Sequence, residues 1–480
     1  MEPFLGKRFR FTGDPLSILP EFAARPFPFL LLSAGEDPEK GRFSFLGADP
    51  FLWFESRGEC CRVVRKGGGE EYRFGDPLQE LSRLLRRYQQ PGSKGIGFTG
   101  GAVGYFSYSL KWQALNDPPP PWRAGDPPDA WFGFYDRLLI FDHTDRSVFP
   151  LATGFPCETP GPRRRKAESD LRRMEDRLSR AVRPRSSLPP SWVDFRPEID
   201  RRRHRDMVLA AQEAIGRGEI YQLNLTYRMQ SRGDLHPLDA FTRLVRASPT
   251  PFCAFLQTGD RVILSTSPER LVRWDGRLAD CRPIKGTRPR GLTPGEDRVL
   301  RNDLSSSPKE LAENVMITDL VRSDLGRVCR PGTVRVAKLA DLETYSRVFH
   351  LVSRVEGVTR QETDRFDLIR ALFPGGSMTG APKIRAMQII DQLEPVPRGI
   401  YSGCLGYLSF SGELDLSIVI RTVIRDRTGI HFHVGGAILA DSEAEMEYEE
   451  TLAKADAILR ALAPPRLRRS HQSRPEVPQA

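Results

Sequence analysis

The residues able to do chemistry gather in a few short stretches. One is CRPIKGTRPRG, Cys281 to Gly291, with four positive charges, two prolines, two glycines and one threonine beside a single apolar residue. A loop this basic can be a solvated turn, a phosphate cradle, or the seat of one lysine, Lys285, that reacts. Glu269, in STSPER, lies sixteen positions earlier, a spacing that puts the two on successive strands. Two acidic pairs recur on predicted helices: Glu310 with Glu313, and Glu447 with Glu450, the latter followed four residues on by Lys454. An i,i+3 pair presents both carboxylates on one face. One pair alone reads as a solvated stripe. Two together make a reasonable hard-cation site, because Mg²⁺ takes oxygen ligands and keeps positions open for substrate oxygens.

Other stretches carry weaker signals. GGSMTGAPK has glycines and a lysine, but Pro382 stands where a P-loop needs its Gly-Lys junction. SGCLGY sets Cys404 between glycines, like the nucleophile turn of class I glutamine amidotransferases. The residues after it alternate as a strand and no H-x-E follows, so a packed thiol is expected. His431 and His433, in HFH, share one face of a strand, but no acidic or third histidine partner accompanies them.

These residues need elements to hold them. RRHRDMVLAAQEAIGRG reads as a helix stopped at Gly216 or Gly218, with a strand after it. FCAFLQTGDRVILSTSPER and LVRWDGRLADCRPIKGT read as consecutive hairpins with Gly-Asp and Asp-Gly turns. Helices are predicted over about Lys309–Leu325 and about Glu443–Ala463, the second capped by Asp441 or Ser442. LFPGGSMTGAPKIRAMQIIDQLE reads as a loop then a helix, YSGCLGYLSFSGELDLSIVIRTVIRD as a hairpin, and GIHFHVGGAILA as a strand. The chain divides into a strand-rich region 1–155, a charged helix and Pro/Ser linker 156–199, a densely patterned region 200–463, and a basic, disordered tail 464–480.

With 480 residues, 39% of them hydrophobic and 9% aromatic, the chain can bury a large core. No apolar run matches a signal peptide or a membrane span. Seven cysteines, none in a C-x-x-C pair, fit reduced thiols in a cytoplasmic protein. The formal charge of +10 comes largely from local arginine runs, RRRK, RRRHR and the tail. No aromatic residues interleave with them, so a nucleic-acid reader is not indicated. An anionic small substrate is compatible.

Taken together, IYQLNL, STSPERL, PIKGTRPRG, ELAENVMITDLVRSDLGRV, HLVSRVEG, FPGGSMTGAPK, YSGCLGY, IVIRT and GGAILADSEAEMEYEETLAKA resemble the chorismate-utilising enzymes: anthranilate synthase component I, aminodeoxychorismate synthase component I, and the isochorismate and salicylate synthases. The motifs keep the family's order over about Arg201–Ala463, and LLLSAG, GRFSFLGADP and GGAVGYFSY extend the likeness to the N-terminal region. The resemblance implies an α+β fold with two large antiparallel sheets packed as a sandwich and helices outside. It implies chorismate as substrate and Mg²⁺ as cofactor. Glu313 and Glu450 match the family's metal ligands, with Glu310 and Glu447 beside them or acting through water. Tyr401, Arg421 and Lys454 match substrate-carboxylate positions. Gly286, Thr287, Gly435 and Gly436 match backbone donors, and His350 matches the histidine near the C4 hydroxyl. Two departures stand out: Asn314 replaces a usual histidine after Glu313, and Ala437 takes the third place of a glycine turn.

Two positions bear on the reaction. Isochorismate-forming relatives carry a lysine base for water where this chain has Gln222, and an amide takes no proton at neutral pH. Anthranilate synthases usually read PIAGT; here Lys285 takes the alanine place, as in aminodeoxychorismate synthases. A desolvated, neutral lysine can itself attack carbon. By resemblance, Lys285 adds at C2 of chorismate while Glu269 protonates the leaving C4 hydroxyl, and ammonia then attacks C4 and expels the lysine from C2. The expected product is 4-amino-4-deoxychorismate, for 4-aminobenzoate and folate synthesis. Anthranilate synthase component I is the main alternative and isochorismate synthase a lesser one; a nucleic-acid binder built on this fold is a non-enzymatic third. With no glutaminase motif in the chain, a separate glutamine amidotransferase partner is expected. Ser33, Lys40, Gly41, Arg42, Phe43, Pro251 and Phe252 match a tryptophan pocket of some relatives.

Overall fold

The structure is a computed structural model that describes residues 2–34, 41–93, 95–115, 117–118, 121–123, 125–180 and 191–464. Lys40, part of the linker and nearly all of the basic tail lie outside the described residues. Two antiparallel sheets of 13 and 12 strands form the frame. Region 1–155 and region 200–463 share both of them. Phe29–Leu32 pairs with Phe252–Thr258 in the larger sheet, and Gly101–Phe106 pairs with Cys404–Ser409 in the smaller.

Three apolar layers follow from the alternation of side chains along strands. Phe29, Phe45, Ile140 and Ile263 of the larger sheet meet Val103, Tyr105, Leu405 and Tyr407 of the smaller, filling the space between sheets. The outer face of the larger sheet packs Leu223, Leu225 and Phe432 against the helices Arg201–Gly216, Pro237–Ala247 and Ala444–Leu462. The outer face of the smaller sheet packs against Pro77–Arg87, Pro308–Gly326 and Arg365–Leu372. The expected sandwich with helices outside is therefore what the chain forms. No described helix is long and apolar enough to cross a membrane.

The predicted helices are present: Pro160–Arg180, Arg201–Gly216, Pro308–Gly326, Lys383–Leu393 and Ala444–Leu462. Two expectations need correction. The last helix starts after Glu443 with no side-chain cap; the Ser442 hydroxyl instead donates to Glu447 Oε1 at 2.7 Å. Both predicted hairpins form, but Glu269 and Lys285 do not lie on successive strands: Glu269 sits between strands, and Arg270–Trp274 and Leu278–Arg282 come before Ile284–Pro289. Arg261–Ser267 lies in the larger sheet and Arg270–Trp274 in the smaller, so the chain changes sheets at Pro268–Glu269. It changes back between Leu414–Ile418 and Thr422–Asp426, through Arg421.

Candidate active site

The two sheet crossings lie side by side. Ile418 N donates to Glu269 O at 3.0 Å, and the Ser267 hydroxyl donates to Ile418 O at 2.6 Å. Thr266 donates to Arg421 O through both its N–H and its hydroxyl, each at 3.1 Å. Arg421 holds φ +48°, a left-handed conformation uncommon for a non-glycine residue and one that clusters at functional sites. The crossings bring a carboxylic acid and a guanidinium from distant parts of the sequence to one point.

Glu269 is buried, 4% exposed. Burial pushes its carboxyl up to about 7, against the Ser377 hydroxyl, Lys285, the Ile284 N–H and Arg421, all of which favour the anion. Near neutrality such a group can give a proton. The Arg421 pKa is lowered by its own burial, with Glu269 opposing.

Lys285 sits on the strand Ile284–Pro289, its Nζ 3.6 Å from Glu313 Oε2. The other three cations of the basic loop are held elsewhere. Arg282 is bidentate to Asp280, Arg288 binds Asp303 and Glu310, and Arg290 is bidentate to Asp297. Gly286 has φ +86°, and a Cβ there would fall 2.9 Å from Leu304 and 3.1 Å from Glu310 Oε2. Glycine thus lets this strand lie against the acidic helix. Thr287 pairs with His350 across the sheet, and the Thr287 hydroxyl hydrogen-bonds His350 Nδ1 at 2.8 Å.

The acidic pairs face one another across the site. Glu313 is raised by burial first, and Glu310 and Glu450 add to this while Lys285 and Lys309 oppose it. Glu450 binds Lys454 at 2.6 Å, and Lys454 also donates to Gly435 O at 3.0 Å. Glu447 accepts from Ser442 through Oε1 and lies 3.4 Å from Lys309, while its buried Oε2 has no hydrogen-bond partner among the described residues. A Cβ on Gly436 would come within 3.2 Å of that same oxygen and 3.7 Å of Glu450 Oε1. As arranged here, the carboxylates face lysines, and among the described residues no three His, Cys, Asp or Glu side chains converge into a metal cage. The donor set is nevertheless all oxygen, with one partnerless buried oxygen and a glycine-lined cradle, and so fits a hard divalent cation.

Gln222 is 1% exposed, with Oε1 partnerless among the described residues, and its strand pairs with Gly380–Ala381 of the FPGGSMTGAPK stretch. Tyr401 is buried and stacks on His433 at 4.9 Å. Asn314 anchors its helix to the His350 strand by donating to Leu351 O at 3.1 Å, and Ser353 donates to its Oδ1. Ala437 is buried opposite Asn224. Cys404 is buried within its strand, and burial pushes its thiol far up, so it is a packed residue.

Sequence reasoning missed three contributors. Lys309 stands among Glu447, Glu313 and Glu450, and Ser377 lies beside Glu269. Arg398 is fully buried and donates to Met378 O at 2.6 Å and Asn224 O at 2.7 Å, and it pairs with Glu394 at 2.7 Å. Ser377 lies inside a motif already noticed and Lys309 opens a predicted helix just before one, where their neighbours drew the attention; Arg398 lies outside them.

A second cavity of about 350 Å³ lies between the sheets. Ser33, Gly41, Arg42, Phe43, Pro251 and Phe252 line it, together with Arg270 and Asp415, which form a bidentate pair at 2.9 and 3.0 Å. Six of the seven residues matched to an amino-acid pocket thus line one cavity; Lys40 lies outside the described residues.

The family model for chorismate binding enzymes matches residues 45–460. The chain is 39% identical over 454 residues to an aminodeoxychorismate synthase of Streptomyces pristinaespiralis, which covers 92% of this chain but only 62% of that longer protein. It is 36% identical over 459 residues to anthranilate synthase component 1 of Pseudomonas aeruginosa, covering 94% of this chain and 93% of the relative. The crystal structure of anthranilate synthase component I from Streptococcus pneumoniae matches with a TM-score of 0.77 at 31% identity, covering 87% of this chain and 92% of the other. On its motifs, its paired sheets and these matches, the chain belongs to the chorismate binding enzyme family.

Proposed function

We propose that the chain is an aminodeoxychorismate synthase component I, which converts chorismate and ammonia to 4-amino-4-deoxychorismate and water. The observation that carries this reading is Lys285, set between a buried, protonatable Glu269 and the carboxylate of Glu313. Neutral Lys285 adds to C2, the ring double bond shifts, and the C4 hydroxyl leaves as water with the proton of Glu269. Ammonia then adds at C4, the double bond shifts back, and the C2–N bond to Lys285 breaks. His350, oriented by Thr287, faces the departing hydroxyl. Tyr401, Arg421 and Lys454 bind the substrate carboxylates, where charge-assisted contacts are the stronger ones. Gln222, Gly286, Thr287, Gly435 and Gly436 line the substrate. Glu313 and Glu450, with Glu310 and Glu447, would hold Mg²⁺, which supplies positive charge to a dianionic substrate.

A separate glutamine amidotransferase supplies the ammonia in this reading, and the inter-sheet cavity is the amino-acid pocket, with tryptophan as the candidate ligand. The second reading is anthranilate synthase component I, favoured by the match to those relatives across nearly the whole of both chains. Incubation with chorismate, Mg²⁺ and an ammonium salt separates the two. Aminodeoxychorismate should accumulate; release of anthranilate and pyruvate without an added lyase would sink the first reading.

A further inference from the structure

A third cavity, of about 280 Å³, lies where the helix Pro160–Arg180 covers the larger sheet, and it shares no lining residue with the catalytic cluster or the inter-sheet cavity. Arg25, Lys66, Arg137, Arg173 and Arg177 line it, with Asp170 and Met174. Four separate segments supply these cations: the turn after Leu19–Ala23, the turn after Cys60–Arg65, the start of Arg137–Asp142, and the helix.

The local carboxylates are already shared. Asp49 takes Arg25 at 2.5 Å, Arg137 at 3.6 Å and Lys66 at 3.8 Å. Asp170 takes Arg173 at 2.7 Å, Lys166 at 2.8 Å and Arg137 at 3.5 Å. Asp136 takes Lys166 and Arg137. Arg177 has no carboxylate partner among the described residues. Six cations thus stand against three carboxylates, all three nearly inaccessible. Burial lowers the Arg25 pKa, and Arg177 and Arg137 press the same way against Asp49. Asp49 itself is held at φ +59°. Crowded, part-buried cations around a concavity concentrate anions, and arginine forks match oxyanion geometry two bonds at a time.

We propose that this cavity binds a small phosphate-class oxyanion, a free phosphate or diphosphate group carried by a small molecule. The size supports the small class, since the cavity is at the low end for organic ligands, ~300 Å³ and upward, and Met174 is its one apolar side chain. Of the lining cations, Arg25 and Arg137 are the more buried, and Arg177, Arg173 and Lys66 the more exposed.

The test is calorimetric titration of the full chain with inorganic phosphate and with diphosphate, in magnesium-free buffer with chloride as background salt. Diphosphate should bind saturably at one site per chain. Arg177→Ala should weaken it about tenfold and Arg177→Glu abolish it, with the far-UV circular dichroism unchanged. Arg322→Ala, at a distant helix position, should bind as the parent does. The proposal is overturned if neither anion saturates, if chloride competes mole for mole, or if Arg177→Glu binds like the parent. Retention of acidic proteins without binding of either small anion overturns it as well.

Discussion

Lys285 Nζ stands 3.6 Å from Glu313 Oε2, so the proposed nucleophile and a proposed metal ligand share one ion pair. The side chain is 12% exposed, which shields it from solvent without burying it outright. Lys285→Ala should lower aminodeoxychorismate formation by about a thousandfold or more, since covalent assistance is lost. Lys285→Arg should do no better, because a guanidinium keeps its proton and cannot attack. Both are read by chromatography of the product at saturating ammonium salt. Turnover within a few-fold of the parent in either variant would remove lysine from the chemistry.

Glu269 gives a pH signature. Its raised pKa keeps the acid form below about 7, so kcat/KM for chorismate should fall as pH rises through that value. Glu269→Gln should lose that alkaline limb along with most activity. Stability carries the same sign. A raised folded pKa adds nothing unfavourable below the unfolded value near 4.5, and the cost of a buried anion grows as pH rises through about 7. Glu269→Gln should therefore melt higher than the parent at pH 8 and level with it near pH 4, with a gap of up to about 3 kcal/mol. A parent and variant that melt together across the whole range would contradict the burial argument.

Gly436 tests the cation cradle apart from the nucleophile. It has no left-handed backbone, so alanine there is not strained, but the added methyl would sit 3.2 Å from Glu447 Oε2. Gly436→Ala should raise the Mg²⁺ concentration needed for half-maximal turnover about tenfold while leaving the melting temperature within ~2 °C. Direct Mn²⁺ binding by paramagnetic resonance checks the same loss without turnover. Equal Mn²⁺ affinity in both proteins would dissociate Gly436 from the cation.

These sites were unevenly legible in the sequence. The i,i+3 acidic pairs could be read because a helix fixes which residues share a face. The crossings could not. Period-two patterns in STSPER and LVRW mark two strands but carry nothing about which sheet each joins, and the switch falls on Glu269 itself. Arg421 stood out by its motif, but its backbone did not, since nothing local asks an arginine to adopt φ +48°. Ser442 misled for a physical reason: a serine before a helix usually caps it, but the N-cap position here is Glu443, and the Ser442 oxygen accepts from Leu439 N–H at 3.0 Å while its hydroxyl donates to the buried Glu447 carboxylate.

Arg398 ties the pieces together and yields the most severe stability prediction. Its side chain is wholly inaccessible and that of Glu394 is 5% exposed. Arg398 reaches Met378 O on the FPGGSMTGAPK stretch, Asn224 O on the Gln222 strand and Ser402 Oγ beside Tyr401, while Glu394 takes the N–H and hydroxyl of Thr226 at 2.9 Å each. One guanidinium therefore fixes the relative placement of Gln222, Tyr401 and the loop holding Ser377. Removing it leaves a buried carboxylate without its cation, so Arg398→Met should cost about 3–5 kcal/mol in urea unfolding. Pairing it with Glu394→Gln removes the stranded charge and should recover part of that loss, while chorismate KM stays raised because the backbone carbonyls remain unheld. Full recovery of both stability and KM in the double variant would show that the pair balances charge and does not position the site.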